Sequence, residues 1–306
     1  MTGGPAPAPA APPAPLASTP AASPSPLEQL ARAHPELRRA ADVLAALAGA
    51  VAEGAAEWTG GDRLDDDVLA ARLDGGVPAL TGEPLLGGAE LLERARRVGA
   101  ALERAGGSAA DAARAVVAAL DTAAANADML AAHALAGEWD AARDLARRLD
   151  VDEDALVTVL DYAVRGALRG ANVRVRALLD RRAASDGVGA RSWERGVCPA
   201  CGAPPALAEL RGGKEQSRTL RCARCDGAWA FPRLACPGCG ERDHRKLVAL
   251  SGEGEESYRR ADCCDTCRTY VKAVATLSPL SPDALMETDL ATAALDMVAI
   301  ERGYHR

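Results

Sequence analysis

Four pairs of cysteines, each pair separated by two residues, stand between positions 198 and 267: Cys198 with Cys201, Cys222 with Cys225, Cys236 with Cys239, and Cys264 with Cys267. That spacing lets the chain turn back so that both sulfurs point at one ion, while N–H groups in the turn donate to the first thiolate. Gly202 and Gly240 follow two of the pairs and suit the left-handed conformation that closes such a turn. Two such knuckles complete a tetrahedral site, so the four predict two metal ions, each held by four cysteines. All-thiolate ligands accommodate zinc or rubredoxin-like iron. They leave no open position for water or substrate, which argues against Lewis-acid catalysis.

Spacing decides the pairing. Twenty residues separate Cys201 from Cys222 and twenty-four separate Cys239 from Cys264, whereas ten separate Cys225 from Cys236. A ribbon needs room between its knuckles for a returning strand pair. The two long gaps supply it, with "ALAEL" and "RTLR" in the first and "KLVAL" and "SYRRA" in the second. Site one is therefore Cys198, Cys201, Cys222 and Cys225, and site two is Cys236, Cys239, Cys264 and Cys267. Cys263 would need a three-residue spacing to Cys267 and is the spare, either a small buried hydrophobe or a free thiol beside a metal. His244 is the weaker ligand candidate, since four sulfurs are already available.

The elements that must position these knuckles come from the rest of the chain. All nine cysteines lie in this C-terminal part, and the shift in composition marks a boundary within residues 183–193. From Leu27 to about Arg182 the pattern is helical: Ser25 and Pro26 start a first helix, "SAAD" at 108–111 has the form of a capping box, and apolar residues recur at helical spacing in 91–102, 112–120 and 155–168. Glycines at 75–76, 87–88 and 106–107 separate the segments, giving about six or seven helices. His34, His133 and the run 62–67 read as structural or solvated groups. The fold class is thus mainly α: a disordered Pro/Ala-rich tail over 1–26, a helical bundle over 27–190, tandem four-cysteine ribbons over 191–235 and 236–277, and a C-terminal helix within 278–306, running from about Asp283 to Arg302.

Composition sets the compartment and limits the partners. The tail holds nine of nineteen prolines and no charged residue, so it lacks the basic region of a secretory signal. No run of 18 apolar residues occurs, so no membrane span is expected. A cytoplasmic location follows, where thiols serve as ligands rather than disulfides. Residues 196–277 carry 13 Lys and Arg against 10 Asp and Glu, and two zinc tetrathiolates of about −2 each leave the module without the basic surface a nucleic-acid binder needs. Nothing in the residues fixes an oligomeric state.

The stretches "CPACGAPPALAEL", "LRCARCDGAWAFPRLACPGCG" and "YRRADCCDTCRTYVKAV", with the closing "DLATAALDMVAIERGY", together resemble the FdhE family over about residues 196–304. "AHPELRRAADVLAALA" and "PLLGGAELL" extend the likeness more loosely into the helical half, while the tail lies outside it and Cys263 stands where the family pattern has no expected cysteine. The resemblance implies a cytoplasmic accessory protein, a chaperone rather than an enzyme, needed for active formate dehydrogenase. It further implies binding to that enzyme's catalytic subunit during maturation and rubredoxin-like iron at the eight knuckle cysteines. Trp229, Phe231, Tyr270 and Lys272 are its candidate contact groups, Lys272 the best of them, with inter-ribbon core as the other reading of Trp229 and Phe231. The rival readings are a rubredoxin-like electron-transfer protein and a zinc-ribbon nucleic-acid binder.

Overall fold

A computed structural model describes residues 24–185, 193–212, 217–252 and 258–306. Most of the Pro/Ala-rich tail and of the boundary segment lies outside these described residues. Among the described residues eight α-helices come first: α1 (Pro26–Ala33), α2 (Arg38–Ala56), α3 (Asp66–Asp74), α4 (Gly88–Ala105), α5 (Gly107–Thr122), α6 (Ala127–Ala136), α7 (Asp140–Leu149) and α8 (Glu153–Ser185). The start of α1 follows its sequence signal. The Ser25 hydroxyl accepts from the Glu28 N–H at 3.2 Å, and the Glu28 carboxylate accepts from the Ser25 N–H at 2.8 Å.

The "SAAD" cap does not form, because α5 begins at Gly107 and leaves Ser108 inside its first turn without a capping bond. A tertiary contact sets that turn instead. Arg39 of α2 donates to the carbonyls of Ala105, at 3.0 Å, and Gly106. At 33 residues α8 runs about 50 Å and forms the axis of the bundle. Its Leu156, Leu160, Val164, Leu168 and Val175 are all at most 1% exposed beneath α2, α4, α5, α6 and α7.

Six strands follow among the described residues: β1 (Leu207–Leu210), β2 (Arg218–Arg221), β3 (Ala228–Ala230), β4 (Leu247–Leu250), β5 (Arg259–Cys264) and β6 (Tyr270–Ala275). Each ribbon contributes three, and the two sets join into one sheet of order β3-β2-β1-β6-β5-β4. Neighbours are antiparallel except at the seam, where β1 and β6 run parallel with Leu207 opposite Lys272 and Leu210 opposite Ala275. Side chains alternate across this sheet. Ala208, Leu210, Leu220, Val271 and Ala273 join the core shared with the bundle. Leu207 and Val274, and further along Ala261, Cys263 and Tyr270, face the other way.

That outer face is covered by α9 (Pro282–Ala291) and α10 (Ala293–Glu301), where a single helix was expected. The break falls at Thr292, whose hydroxyl turns back onto the Thr288 carbonyl at 2.7 Å, while Lys272 Nζ takes the Asp289 carbonyl at 2.6 Å. A side chain inserted among the carbonyls of the ladder is a physical cause of such a break. Leu290 of α9 packs with Leu27, Ala31 and Ala41, so the last helices close on the first ones.

Lys272 is therefore not a surface contact group. It is fully buried, pairing with Asp289 at 2.8 Å and Asp296 at 2.7 Å. Tyr270 is buried too, donating to Asp296 at 2.7 Å, and Trp229 and Phe231 lie in the core shared between bundle and first ribbon. Replacing Lys272 by Met should cost roughly 3 kcal/mol, since it removes the buried cation shared by two carboxylates and leaves them to the partly exposed Arg306; chemical denaturation of the metal-loaded chain measures this. Arg306 and Lys272 hold the Asp289 carboxyl below its ordinary value against the opposing effect of burial. A carboxyl depressed in the folded state stabilises above its unfolded pKa and loses that stabilisation as pH falls through the folded one. Docking of α9 should accordingly weaken in acid below the ordinary carboxylate range, and Asp289→Asn should flatten that dependence.

Candidate metal centres

Each knuckle is a tight turn; the first leads into β1, and the other three lie between successive strands. The residue after the second cysteine has positive φ in all four: Gly202 at 77°, Asp226 at 57°, Gly240 at 77° and Arg268 at 61°. Two of these positions carry side chains in a conformation that favours glycine, and both side chains are engaged. Asp226 pairs with Arg169 of α8 at 2.7 Å, and Arg268 bonds to the carbonyls of Arg302 and Gly303 while stacking 4.0 Å over Tyr304.

The structure brings Cys198, Cys201, Cys222 and Cys225 together as one group and Cys236, Cys239, Cys264 and Cys267 as another, with all sulfurs of a group within 4.8 Å of one another. The short S···S distances are 3.4 Å for Cys198 to Cys225 and 3.5 Å for Cys201 to Cys222 in the first group. In the second they are 3.6 Å for Cys236 to Cys267 and 3.7 Å for Cys239 to Cys264. These are far beyond a disulfide. An ion about 2.3 Å from each of four sulfurs in a tetrahedron sets those sulfurs about 3.8 Å apart, so both groups fit a four-coordinate metal ion. The donor set is equally suited to zinc and to iron.

The first group is built into the core. Cys198, Cys222 and Cys225 have no exposure. On α8, Asp161, Arg165, Arg169 and Asn172 recur at helical spacing and face the second knuckle: Asn172 donates to the Cys225 carbonyl at 2.8 Å, Arg165 to the Ala223 carbonyl at 3.3 Å, and Asp161 accepts from Arg224 at 2.7 Å. Gly227 backs onto the sulfurs, and a Cβ there would meet Cys198 Sγ at 2.7 Å. Trp193 donates to the Val197 carbonyl at 2.7 Å, just before the first knuckle. Hydrogen bonds from the thiols of Cys198, Cys201 and Cys225 drive the Cys222 thiol well below its ordinary value, while Cys198 and Cys225 are pushed well above theirs. Sulfurs this crowded ionise together only around a cation.

The second group lies nearer the surface, with Cys239 exposed and Cys267 half-buried. Gly238 N–H donates to Cys236 Sγ at 3.3 Å, the knuckle bond expected from the spacing. Thr269 Oγ1 lies 3.0 Å from Cys267 Sγ and 3.7 Å from Cys236 Sγ, a contact for which the sequence carries no signal. Burial raises the Cys236 thiol, and desolvation together with hydrogen bonds from the neighbouring sulfurs takes Cys239 to about 12. At Cys267 the Thr269 hydroxyl and N–H outweigh burial and bring it to about 7. Glu241 ties the two knuckles, accepting from Thr266 at 2.7 Å and from two backbone N–H groups.

Cys263 belongs to neither group. It sits in the apolar cluster with Leu250, Tyr270 and Leu295, 2% exposed, and burial pushes its thiol up to about 12. His244 begins a short turn outside both groups, and Asp66 of the acidic run pairs with Arg174 and Arg181.

A helical bundle carrying two four-cysteine ribbons fused into one sheet is the class that this fold and these sites define. Residues 234–306 match the family model described as the FdhE C-terminal domain. A Pseudomonas aeruginosa protein named as an FdhE homolog is 37% identical over 126 residues, 40% of each chain, and Escherichia coli FdhE is 32% identical over 114 residues, 37% of this chain and 36% of that one. These matches span about two fifths of the relatives' length. The crystal structure of the FdhE protein from Pseudomonas aeruginosa matches 92% of this chain and 90% of its own, with a TM-score of 0.59 and 26% identity. In the sequence of its C-terminal part and in its fold, the chain is similar to the FdhE family.

Cys264→Ser should lose one metal equivalent, whereas Cys263→Ser should keep both; elemental analysis of anaerobically purified protein separates them. With one centre buried and the other open at Cys239, a chelator should remove one equivalent quickly and the other only on unfolding, as followed by metal release against time.

Proposed function

We propose that this protein is a cytoplasmic accessory factor in the maturation of formate dehydrogenase, and that it binds the catalytic subunit through a surface held in shape by two metal-bound ribbons. The eight knuckle cysteines are the ligands in this reading, with iron or zinc as the ion, and the chain acts by binding rather than by catalysis. The observation that carries the proposal is the pair of four-sulfur groups on one continuous sheet, clamped between the bundle and α9 with α10, in a chain similar to the FdhE family. Four protein ligands fill a tetrahedral ion, so its contribution is to cross-link strands too short to hold a core alone. Among the described residues no single helix is long and apolar enough to cross a membrane.

One observation favours a second reading. The second group has an exposed ligand, and a rubredoxin-like centre must lie near the surface to pass electrons to a partner. A reversible one-electron iron couple in the purified protein supports it, and a zinc-only protein with full activity excludes it.

The test of the main reading replaces Cys236 and Cys239 together by serine in a strain lacking the wild-type protein. The second group is the better target because the first is embedded against α8, so its loss would disturb the bundle as well. Capture of the formate dehydrogenase catalytic subunit and formate dehydrogenase activity should both fall to background, with helical circular dichroism retained. Full activity without the metal overturns the proposal.

A further inference from the structure

The sheet has an open edge at β4, which among the described residues pairs with β5 on one side and with no strand on the other. The ladder fixes which way its backbone points. Asp265 N–H donates to the Lys246 carbonyl, and Cys264 N–H donates in the opposite direction to the Thr269 carbonyl. Alternate residues of β5 therefore face β4 and β6 in turn, and the backbone groups of Leu247 and Ala249 point away from β5. The Leu247 N–H is taken by the His244 carbonyl. The outward N–H and C=O of Ala249 have no partner among the described residues, and Ala249 is exposed.

Beside this edge lies a cavity of about 290 Å³ on the face of the second ribbon, bordered by Leu247 and Ala249 and by the 67% exposed Leu234. Among the described residues, three guanidinium groups, those of Arg218, Arg233 and Arg260, line it with one carboxylate, Asp262. Asp262 accepts from Arg260 at 2.6 Å and also serves Arg218 at 3.5 Å. The Arg218 side chain is 1% exposed, and its Nε has no hydrogen-bond partner. Cys236 and Cys264 close the cavity against the second four-cysteine group.

We propose that the β4 edge and this groove form a docking site for an extended, acidic segment of a partner protein, which adds to the sheet as a further strand. The edge supplies main-chain hydrogen bonds at Ala249. Every second side chain of the added strand faces the groove, where apolar groups meet Leu234 and Leu247 and carboxylates meet the arginines. Charge selects the occupant. A basic segment is repelled, and a second copy pairing through its own β4 would bring another set of arginines to the same place. The inference rests on the sheet and its charges and does not depend on which enzyme is the client.

The probe is a fluorescein-labelled peptide of about seven residues alternating Val and Asp, titrated at low salt against the full metal-loaded chain and read by fluorescence polarisation. Saturable binding is expected, with none for the Val–Lys counterpart. Arg233→Glu should weaken it by about tenfold or more, the effect of reversing one charge-assisted contact. Ala249→Pro should abolish it by removing the outward N–H, a change that an edge strand tolerates. Both variants should keep two metal equivalents and the parent circular dichroism. Absence of saturable binding, equal binding of the Val–Lys peptide, or binding unchanged by both variants overturns the proposal. So does self-association of the parent chain that Ala249→Pro abolishes, which would assign the edge to a second copy. None of these outcomes bears on the formate dehydrogenase reading, which is tested by activity.

Discussion

Glu209 and Lys272 lie on neighbouring parallel strands, on the same face of the sheet, and neither has any exposure. Each draws its partners from elsewhere in the chain: Glu209 takes Arg221 of β2 and the Leu280 N–H, and Lys272 takes Asp289 and Asp296 from the last two helices. An unpaired buried charge costs several kcal/mol. The β1–β6 seam is therefore stable only when the first ribbon's hairpin and the C-terminal helices are both in place. Without the seam, each ribbon would be a sheet of three short strands with little core of its own. With it, the two modules become the middle layer of a three-layer structure.

The four knuckles join that layer to its surroundings. Gly202 and Gly240 take the left-handed turn at no steric cost, while Asp226 and Arg268 adopt it against a penalty of about 1 kcal/mol or more. What they gain is contact. Asp226 reaches α8 and Arg268 reaches the C-terminal residues, so one knuckle in each ribbon turns the chain and also docks it. A metal-binding loop thereby fixes the orientation of a helix that supplies no ligand.

Much of this was legible in the residues. Cysteine spacing is a local code, and so are helical periodicity and the alternating strands between knuckles, because each is set by neighbours within a few positions. What escaped was non-local. The parallel seam pairs segments about sixty residues apart, and no short-range pattern marks it. Lys272 read as a surface group because lysines almost always are; only the fold brings Asp289 and Asp296 around it. The break at Thr292 has the same origin, since a lysine from a distant strand takes the Asp289 carbonyl. "SAAD" failed for a related reason: Arg39, from another helix, fixes the turn that it would have capped.

The two centres share a donor set and differ in everything around it. Around the first, α8 contributes Arg165, Arg169 and Asn172, and solvent reaches none of Cys198, Cys222 and Cys225. An ion held there would join bundle to sheet as a tetrahedral cross-link. Around the second, Thr269 and the Gly238 N–H direct hydrogen bonds at the sulfurs and Cys239 meets solvent. Such donors tune the charge on a thiolate and the potential of any iron it binds. A role that draws on the chemistry of the ion belongs to this second group, whereas a role that needs only a fixed surface draws on both. The open face of the second ribbon is continuous with this group at Cys236 and Cys264, so a partner seated there would lie against the centre whose ligands are accessible.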